Sequence, residues 1–297
     1  MMGTLFNNIF REWPTWFSIF IVYVMWWIVL DNFSIIPFAS VLLIFILTFH
    51  GSVQHELIHG HPTNNQEIND FLASPPIGLW CPYLIYKYSH LYHHNNSNLT
   101  LPDKDPESYY MSEEIWHSLS KWRQKLAIFN MTFFGRLMLG PFWYFISLRK
   151  QMFKSFKRST LSKAFIWISH DLLSLTLLLF IWSFFEVNIL IYIGCAYIAQ
   201  SLTLVRSFYE HRVANIPNHR SVIMKASLPM RLLFLNNNFH LVHHENPSMS
   251  WYLLPKEYKA RLDYYQDLNG NFIEPGYIKW FTSYLFKPVT HPKYPGF

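Results

Sequence analysis

Residues 35–61 read IIPFASVLLIFILTFHGSVQHELIHGH, an apolar run that passes directly into a group of closely spaced histidines. An α-helix needs about 20 mostly apolar residues to cross the hydrocarbon core of a bilayer. The run is long enough, so we predict a membrane-spanning helix over residues 35–53. His55 and His59 follow it four residues apart, a spacing that places two side chains on the same face of a helix.

Three more apolar stretches are long enough to span a bilayer, and short turns near residues 31–34 and 185–188 would join the four spans into two hairpins. The predicted spans cover residues 13–30, 35–53, 164–185 and 187–205. The first lacks a charged leading region and a small-residue cleavage site, so we interpret it as a helix and not as a removable signal.

The composition agrees with a chain that lies partly in lipid. Only 14% of the residues are charged and 51% are hydrophobic, whereas soluble domains carry about 25% charged residues. The sequence therefore predicts an all-α integral membrane protein with one membrane-embedded domain over residues 1–297. A helical cap on the cytoplasmic side would comprise residues 54–163 and 206–297 and would carry the histidine clusters.

The basic residues predict the orientation of the chain. Neither hairpin turn contains Lys or Arg, although the net charge is +6. Cytoplasmic segments of membrane proteins are enriched in Lys and Arg, so we expect both turns outside and both termini inside. The apolar stretches 71–86 and 126–148 are interrupted by proline or by Arg136 and are expected to lie in the membrane interface, the second as a pair of helices. A fifth crossing over 126–148 stays open and would separate the histidine clusters.

Two further clusters repeat the pattern HxxHH, at residues 90–94 (HLYHH) and 240–244 (HLVHH), and His211 stands alone between them. Imidazole is the commonest protein ligand for zinc, iron, copper and nickel. On a helix the first histidine of each HxxHH lies beside the other two. We therefore predict a metal site built from these clusters. The two cysteines, Cys81 and Cys195, form no CxxC pair, and no sequence pattern indicates nucleic-acid binding.

The segments HELIHGH, HLYHH and HLVHH resemble the three histidine boxes of the membrane fatty acid desaturase superfamily, which includes hydroxylases and carotenoid ketolases. The flanking runs PDKDPES (102–108) and NFHLVHHENP (238–247) are similar to bacterial members. The resemblance covers residues 35 to 255. It implies two iron ions (Fe2+/Fe3+), O2 as co-substrate, a lipid or fatty acyl substrate, and an inner-membrane location with a cytoplasmic active site.

The resemblance also implies a ligand set, carried over one position at a time. The nine ligands would be His55, His59, His90, His93, His94, His211, His240, His243 and His244. Some members place an asparagine one helical turn before the histidine equivalent to His211, where it holds a water at the metal. This chain has Ser207 there, so Ser207, Glu210 or Asn237 would hold that water, or the coordination is more open.

Several charged residues near the clusters are candidates for a supporting role. Glu56 and Glu245 could orient imidazoles as hydrogen-bond acceptors, and His61 points away from the face of His55 and His59. The acidic run Asp103, Asp105 and Glu107 is interpreted as a solvated turn, with a surface for a lipid headgroup or a partner protein as the alternative. His170 and Asp171 lie inside the third span, where ionisable groups are costly; a functional role and a satisfied interface pair both stay open.

These observations favour desaturation of a fatty acyl chain. Electrons would come from a separate donor of ferredoxin, rubredoxin or cytochrome b5 type, since no CxxCH and no rubredoxin-like cysteine pair occurs. A lipid hydroxylase or carotenoid-type oxygenase is the alternative. A membrane zinc metalloprotease would use HELIH but would leave two clusters unexplained, and a metal transporter would place its ligands within the spans.

Overall fold

The computed structural model describes residues 12–157 and 161–295, without the side chains of residues 154–157 and 161–162. The helices, in chain order, are α1 (Trp13–Asp31), α2 (Ala39–Ile58), α3 (Gln66–Ala73), α4 (Tyr83–His94), α5 (Glu113–Ser118), α6 (Lys121–Asn130), α7 (Phe133–Lys157), α8 (Leu161–Phe185), α9 (Ile189–Ser207), α10 (Leu228–Leu233), α11 (His240–Glu245), α12 (Leu254–Ala260), α13 (Leu262–Leu268) and α14 (Tyr277–Tyr284). Two short strands, β1 (Ile223–Met224) and β2 (Ile273–Glu274), pair in parallel.

Four helices have the length and apolar composition of membrane spans. They cover Trp13–Asp31, Ala39–Ile58, Lys163–Phe185 and Ile189–Ser207, which confirms the four spans predicted from the sequence. The second helix begins at Ala39, four residues later than predicted. Phe38 caps it in a left-handed conformation with φ of 60°, so the residues between α1 and α2 form a turn instead of a first helical turn.

The described residues divide between two compact units. The first unit comprises residues 1–87 and 141–203, and the second comprises 88–140 and 204–297. In the first unit the buried side chains of α1, α2, α8 and α9 form one apolar cluster that includes Leu43, Ile181 and Tyr192. The Trp26 indole donates to the Tyr192 hydroxyl at 2.9 Å, and this hydroxyl donates to the Ile77 carbonyl at 2.8 Å.

The outward faces of the same helices carry exposed apolar side chains. Phe20 is 61% exposed, Leu172 is 60% exposed and Leu190 is 77% exposed. A water-facing surface of this composition would be unfavourable, so it fits contact with lipid. The chain is a membrane protein on these grounds.

Two ionisable residues inside the third span have their own partners. The His170 ring nitrogen Nε2 lies 2.9 Å from the Leu79 carbonyl. Asp171 accepts two hydrogen bonds from Arg149, at 2.6 and 2.8 Å. These contacts favour the interpretation of His170 and Asp171 as structural groups with satisfied hydrogen bonds. Their partners are Leu79 and Arg149, so the expected pairing of the two residues with each other is replaced by separate contacts.

The stretch 126–148 forms parts of α6 and α7, as the predicted pair of helices requires. Within the described residues, neither helix is among the four whose length and hydropathy suit a span. Arg136 is buried and lies 4.2 Å from the ring centre of Phe208. The second unit also contains a small apolar cluster around β1 that includes Ile223, Leu241 and Val242.

Candidate metal centre

Four histidines of the second unit converge on one point, and we call them the four-histidine group: His93, His211, His240 and His244. One ring nitrogen from each lies within 4.8 Å of the other three. The Nε2 atom of His211 is 3.0 Å from Nε2 of His93 and 3.0 Å from Nε2 of His240. The Nε2 atom of His244 is 3.0 Å from that of His240.

The local sequence explains why these side chains meet. In α11 the residues between the histidines, Leu241 and Val242, are 2% and 0% exposed and belong to the apolar cluster around β1. The Leu241 amide donates to the Val222 carbonyl at 3.1 Å, which ties α11 to β1. Because this apolar face is buried, the opposite face of the helix, which carries His240 and His244, points toward the other members of the four-histidine group.

The second ring nitrogen of three of these imidazoles has a partner outside the group. Nδ1 of His93 is 2.8 Å from Asp105 Oδ1, and Nδ1 of His240 is 3.3 Å from Asn237 Oδ1. Since a carboxylate and an amide oxygen only accept hydrogen bonds, both imidazoles carry their proton on Nδ1. Nδ1 of His211 is 3.2 Å from the Ser221 hydroxyl.

When these imidazoles are neutral, the proton on Nδ1 leaves a lone pair on Nε2, and the Nε2 atoms of the group face each other in a buried space. Such an arrangement is unfavourable unless a cation lies between the nitrogens, because buried polar groups need partners. Neutral imidazole nitrogens suit zinc, copper, iron and nickel. The four-histidine group therefore fits a transition-metal ion.

A second set of histidines in the same unit, which we call the three-histidine group, comprises His90, His94 and His243. The Nε2 atoms of His94 and His243 are 3.2 Å apart. The rings of His90 and His94 have centroids 4.6 Å apart. Nδ1 of His90 is 2.9 Å from Glu107 Oε1, so in the neutral ring Nε2 is the nitrogen that would bind a metal.

The first histidine box lies in the other unit. His55 is in the last turn of α2 and His59 caps that helix. Their ring centroids are 5.0 Å apart, so the two side chains lie together as the four-residue spacing predicts. Their assignment as ligands of the same centre rests on the resemblance and stays a prediction.

Among the residues proposed to support the ligands, Glu210 and Asn237 contact the four-histidine group. Asn237 Nδ2 donates to Glu210 Oε1 at 2.7 Å, and this oxygen is 3.8 Å from Nδ1 of His240. Arg206 Nε lies 3.0 Å from the same carboxylate. Ser207 differs, since its hydroxyl donates to the Leu204 carbonyl at 3.4 Å in its own helix.

The remaining candidates for a supporting role are Glu56, His61 and Glu245. Glu56 is buried, 4% exposed, and its Oε1 lies 3.9 Å from Nε2 of His61. His61 Nδ1 is 3.4 Å from Glu12 Oε1, so His61 lies between two carboxylates. Glu245 is exposed at the end of α11, which suits a helix-end charge.

The interpretation of the acidic run as a solvated turn is wrong for two of its three members. Asp105 is 5% exposed and bonds His93, and Glu107 bonds His90. Asp103 is exposed, as predicted. The usable signal in the sequence was the pair of carboxylates shortly after HxxHH, because metal-binding histidines commonly donate their second N–H to a carboxylate.

The charge state of the group follows from burial and from these carboxylates. Burial lowers the pKa of three histidines well below the ordinary value, and neighbouring imidazoles lower it further: His211, His240 and His244. Burial also lowers the pKa of His93, but Glu107 and Asp105 outweigh it and raise that pKa to about 9. His211, His240 and His244 are therefore neutral, the form that binds a metal, whereas His93 releases a proton when a metal binds.

Comparison with known proteins identifies a family. The model of the family described as "Fatty acid desaturase" matches residues 31–275, a range that contains all nine candidate ligands. The omega-3 fatty acid desaturase fat-1 of Caenorhabditis elegans is 30% identical to this chain over 73 residues. That match covers 24% of this chain and 18% of the relative, so it spans less than a fifth of the relative's length.

Proposed function

The chain belongs to the fatty acid desaturase family, and from that premise we propose that it introduces a carbon–carbon double bond into a fatty acyl chain. Family membership implies an oxidoreductase that acts on lipid at a membrane. The finer proposal is an O2-dependent reaction with two iron ions. The observation that carries it is the four-histidine group, whose Nε2 atoms face each other at 3.0 Å.

The proposed ligands divide between two metal positions. The four-histidine group would hold one iron, and the three-histidine group, with His55 and His59 assigned from the resemblance, would hold the other. Bound iron supplies the oxidising chemistry with O2 that removal of hydrogen from an unactivated alkyl chain requires. The protein contributes ligand orientation, through the outward hydrogen bonds of the imidazoles.

Burial of the ligands also supports the proposal. His93 is 0% exposed, His240 is 1% exposed and His243 is 2% exposed. A site closed to water protects reactive intermediates from side reactions. This chain holds ligands in such surroundings, whereas a surface cluster of histidines would be open to solvent.

Electrons are proposed to come from a separate protein of ferredoxin, rubredoxin or cytochrome b5 type. The sequence supports this because its two cysteines are distant in sequence and neither CxxCH nor a rubredoxin-like pair occurs. In the structure both are free thiols. The chain itself therefore offers no thiolate cluster for electron delivery.

We further propose that the four spans form two hairpins in a bacterial inner membrane, with termini and metal centre on the cytoplasmic side. The turns near residues 31–34 and 185–188 contain no Lys or Arg, which supports an outside location for both. Cysteine accessibility to a membrane-impermeant reagent at Asn32→Cys tests this orientation. Labelling from the outside supports it, and protection in intact cells contradicts it.

Hydroxylation of a lipid is the second candidate, and one observation keeps it open. The serine at the position where some relatives carry a water-holding asparagine is turned to the Leu204 carbonyl. Oxygen insertion onto one carbon and removal of hydrogens from two carbons differ in how the substrate lies at the metals. The product mass separates them directly.

The deciding experiment is mass spectrometry of total lipids from cells that express the wild type, His243→Ala or His117→Ala. Desaturation makes acyl chains about 2 Da lighter and hydroxylation makes them about 16 Da heavier, by the atoms removed or added. We expect lighter lipids with the wild type and with His117→Ala, whose side chain is 64% exposed. Lighter lipids with His243→Ala, or no mass change with the wild type, would contradict the proposal.

A further inference from the structure

The acidic turn, which we define as residues 103–107, follows α4 and touches both histidine groups. We propose that Asp105 and Glu107 are positioning residues, one for a histidine of each group, so that a single turn sets the ligand geometry of both metal positions. This inference rests on the proposed function for the presence of the metals. It adds two residues that are not ligands.

Asp105 is fixed before it meets an imidazole. Its Oδ2 accepts from the Thr100 amide at 2.8 Å, and its Oδ1 accepts from the Glu107 amide at 3.0 Å. The same Oδ1 is 2.8 Å from Nδ1 of His93. Because backbone amides on both sides of it in sequence hold both oxygens, the carboxylate cannot rotate freely, and it holds the His93 ring in one orientation.

Glu107 reaches toward both groups. Its Oε1 is 2.9 Å from Nδ1 of His90, in the three-histidine group. Its Oε2 is 3.9 Å from Nε2 of His93, in the four-histidine group. The side chain is 27% exposed, so it is less constrained than Asp105 and tolerates substitution better.

The spacing in α4 explains why two carboxylates are needed. His90 and His93 are three residues apart and lie on neighbouring parts of one helical face, with ring centroids 6.0 Å apart. Yet they join different groups. A separate acceptor on each Nδ1 directs one Nε2 to each metal position, and the two acceptors are two residues apart in one turn.

The chemical effect of each carboxylate is on the ring nitrogen that faces the metal. An acceptor at Nδ1 keeps the proton there, which leaves Nε2 unprotonated, and it raises the basicity of the ligand. Removing such an acceptor lowers metal affinity typically by about 10- to 100-fold. The turn therefore acts on affinity and ligand geometry, not on substrate.

The test is a cobalt(II) titration of the purified, metal-stripped full chain in detergent, followed by the visible absorption of bound cobalt. The variants are Glu107→Leu, Glu107→Gln and Asp105→Asn, and the matched control is Asp103→Asn. Asp103 lies in the same turn, is exposed, and has φ of 63°, a conformation that asparagine tolerates well.

With wild type and the control we expect two equivalents of tight cobalt binding. Glu107→Leu should weaken one equivalent by about 10- to 100-fold and shift its absorption. Glu107→Gln, which keeps an oxygen acceptor, should recover part of that affinity. A purely structural role would lower the melting temperature of the metal-free protein and would leave Glu107→Gln and Glu107→Leu with the same affinity.

Wild-type affinity and absorption in Glu107→Leu would overturn the inference, as would equal affinities for the leucine and glutamine variants. Asp105→Asn should weaken the other equivalent; if its turn fails to fold, the Glu107 pair still decides. Failure of the wild type to bind two equivalents is a different result, and it would contradict the proposed function instead.

Discussion

Two polar networks of this molecule use similar numbers of side chains but have different roles. Around Asp70, in the first unit, Gln66, Tyr83 and Lys87 all donate to the carboxylate at 2.7 to 3.0 Å. Every donor meets an acceptor. In the four-histidine group, nitrogens of the same kind face each other instead, an arrangement that a bound cation would satisfy.

The difference separates a structural network from a binding site. Burial raises the pKa of Asp70, but the bonds from Lys87, Gln66 and Tyr83 outweigh it and lower that pKa. The network is therefore complete without a ligand and stabilises the region where α3 and α4 meet. Convergent lone pairs, in contrast, indicate a partner that the chain does not supply.

The largest effect should come from removing a ligand of the four-histidine group. His240→Ala deletes the nitrogen that lies 3.0 Å from both His211 and His244. We expect loss of one metal equivalent and a fall in desaturation of about 100-fold or more, since the oxidant depends on the metal. Metal analysis and lipid mass spectrometry measure these. His117→Ala is the matched control. Retained activity in His240→Ala would contradict the interpretation of the four-histidine group as a binding site.

Removal of the metal should destabilise the four-histidine group and leave the Asp70 network unchanged. A chelator should lower the melting temperature of the wild type, because a ligand that binds the folded state stabilises it by about 2.7 kcal/mol at a hundredfold excess over its Kd. His240→Ala should show a smaller shift in melting temperature, because it has one metal position fewer from which the chelator can remove an ion. Equal shifts in both proteins would contradict a stabilising metal at this group.

Disrupting the Asp70 network should reduce stability and leave the metal in place. Asp70→Asn loses the charge that accepts from Lys87, and we expect a loss of about 1.5–3 kcal/mol, the usual value of a hydrogen bond to a charged group. Thermal unfolding and metal content of the purified protein measure this. A changed metal content would show that the two networks are not independent.

The stability difference between the wild type and Asp70→Asn should depend on pH. The folded pKa of Asp70 is lowered, so its stabilisation is present above the unfolded pKa of about 3.9 and is lost as pH falls through the folded value. The difference in melting temperature between wild type and Asp70→Asn should therefore be constant from about pH 7 to pH 5 and shrink below about pH 4. A difference that shrinks between pH 7 and pH 5 would contradict this.

The smallest effect should come from Ser207→Ala. Its hydroxyl donates within its own helix, so metal affinity should change by less than about twofold, the range of surface substitutions. Asn237→Ala should lower that affinity by about 10-fold, because Asn237 bonds both Glu210 and His240. Cobalt titration compares the two. The reverse order would place the supporting role at Ser207.

Much of the fold was predictable because its strongest determinant is local. Apolar length alone predicts the four spans, and they appear within a few residues of their predicted bounds. The start of α2 was missed because the left-handed conformation of Phe38 depends on the turn geometry and leaves no clear mark in the sequence. The parallel pair β1 and β2 joins residues 50 positions apart, such as Ile223 and Ile273, and hydrophobic periodicity does not reveal such a pairing.

The candidate site was likewise predictable only in part. Helical spacing predicted that histidines within each cluster lie together, and contacts such as His55 with His59 agree. How the clusters combine was not predictable, since His93 joins His211 while its neighbours His90 and His94 form another group. Asp105 was missed because charge usually indicates a solvated turn, and only its contact with His93 shows otherwise.

The central claim is that the histidine groups hold two iron ions. The most direct test is the metal content of the wild-type protein, purified in detergent from iron-replete cells, by elemental analysis. The account predicts about two irons per chain, the number that the family resemblance implies, and imidazole donors suit iron. Zinc in place of iron, or less than about one metal ion per chain in fully folded protein, would contradict it.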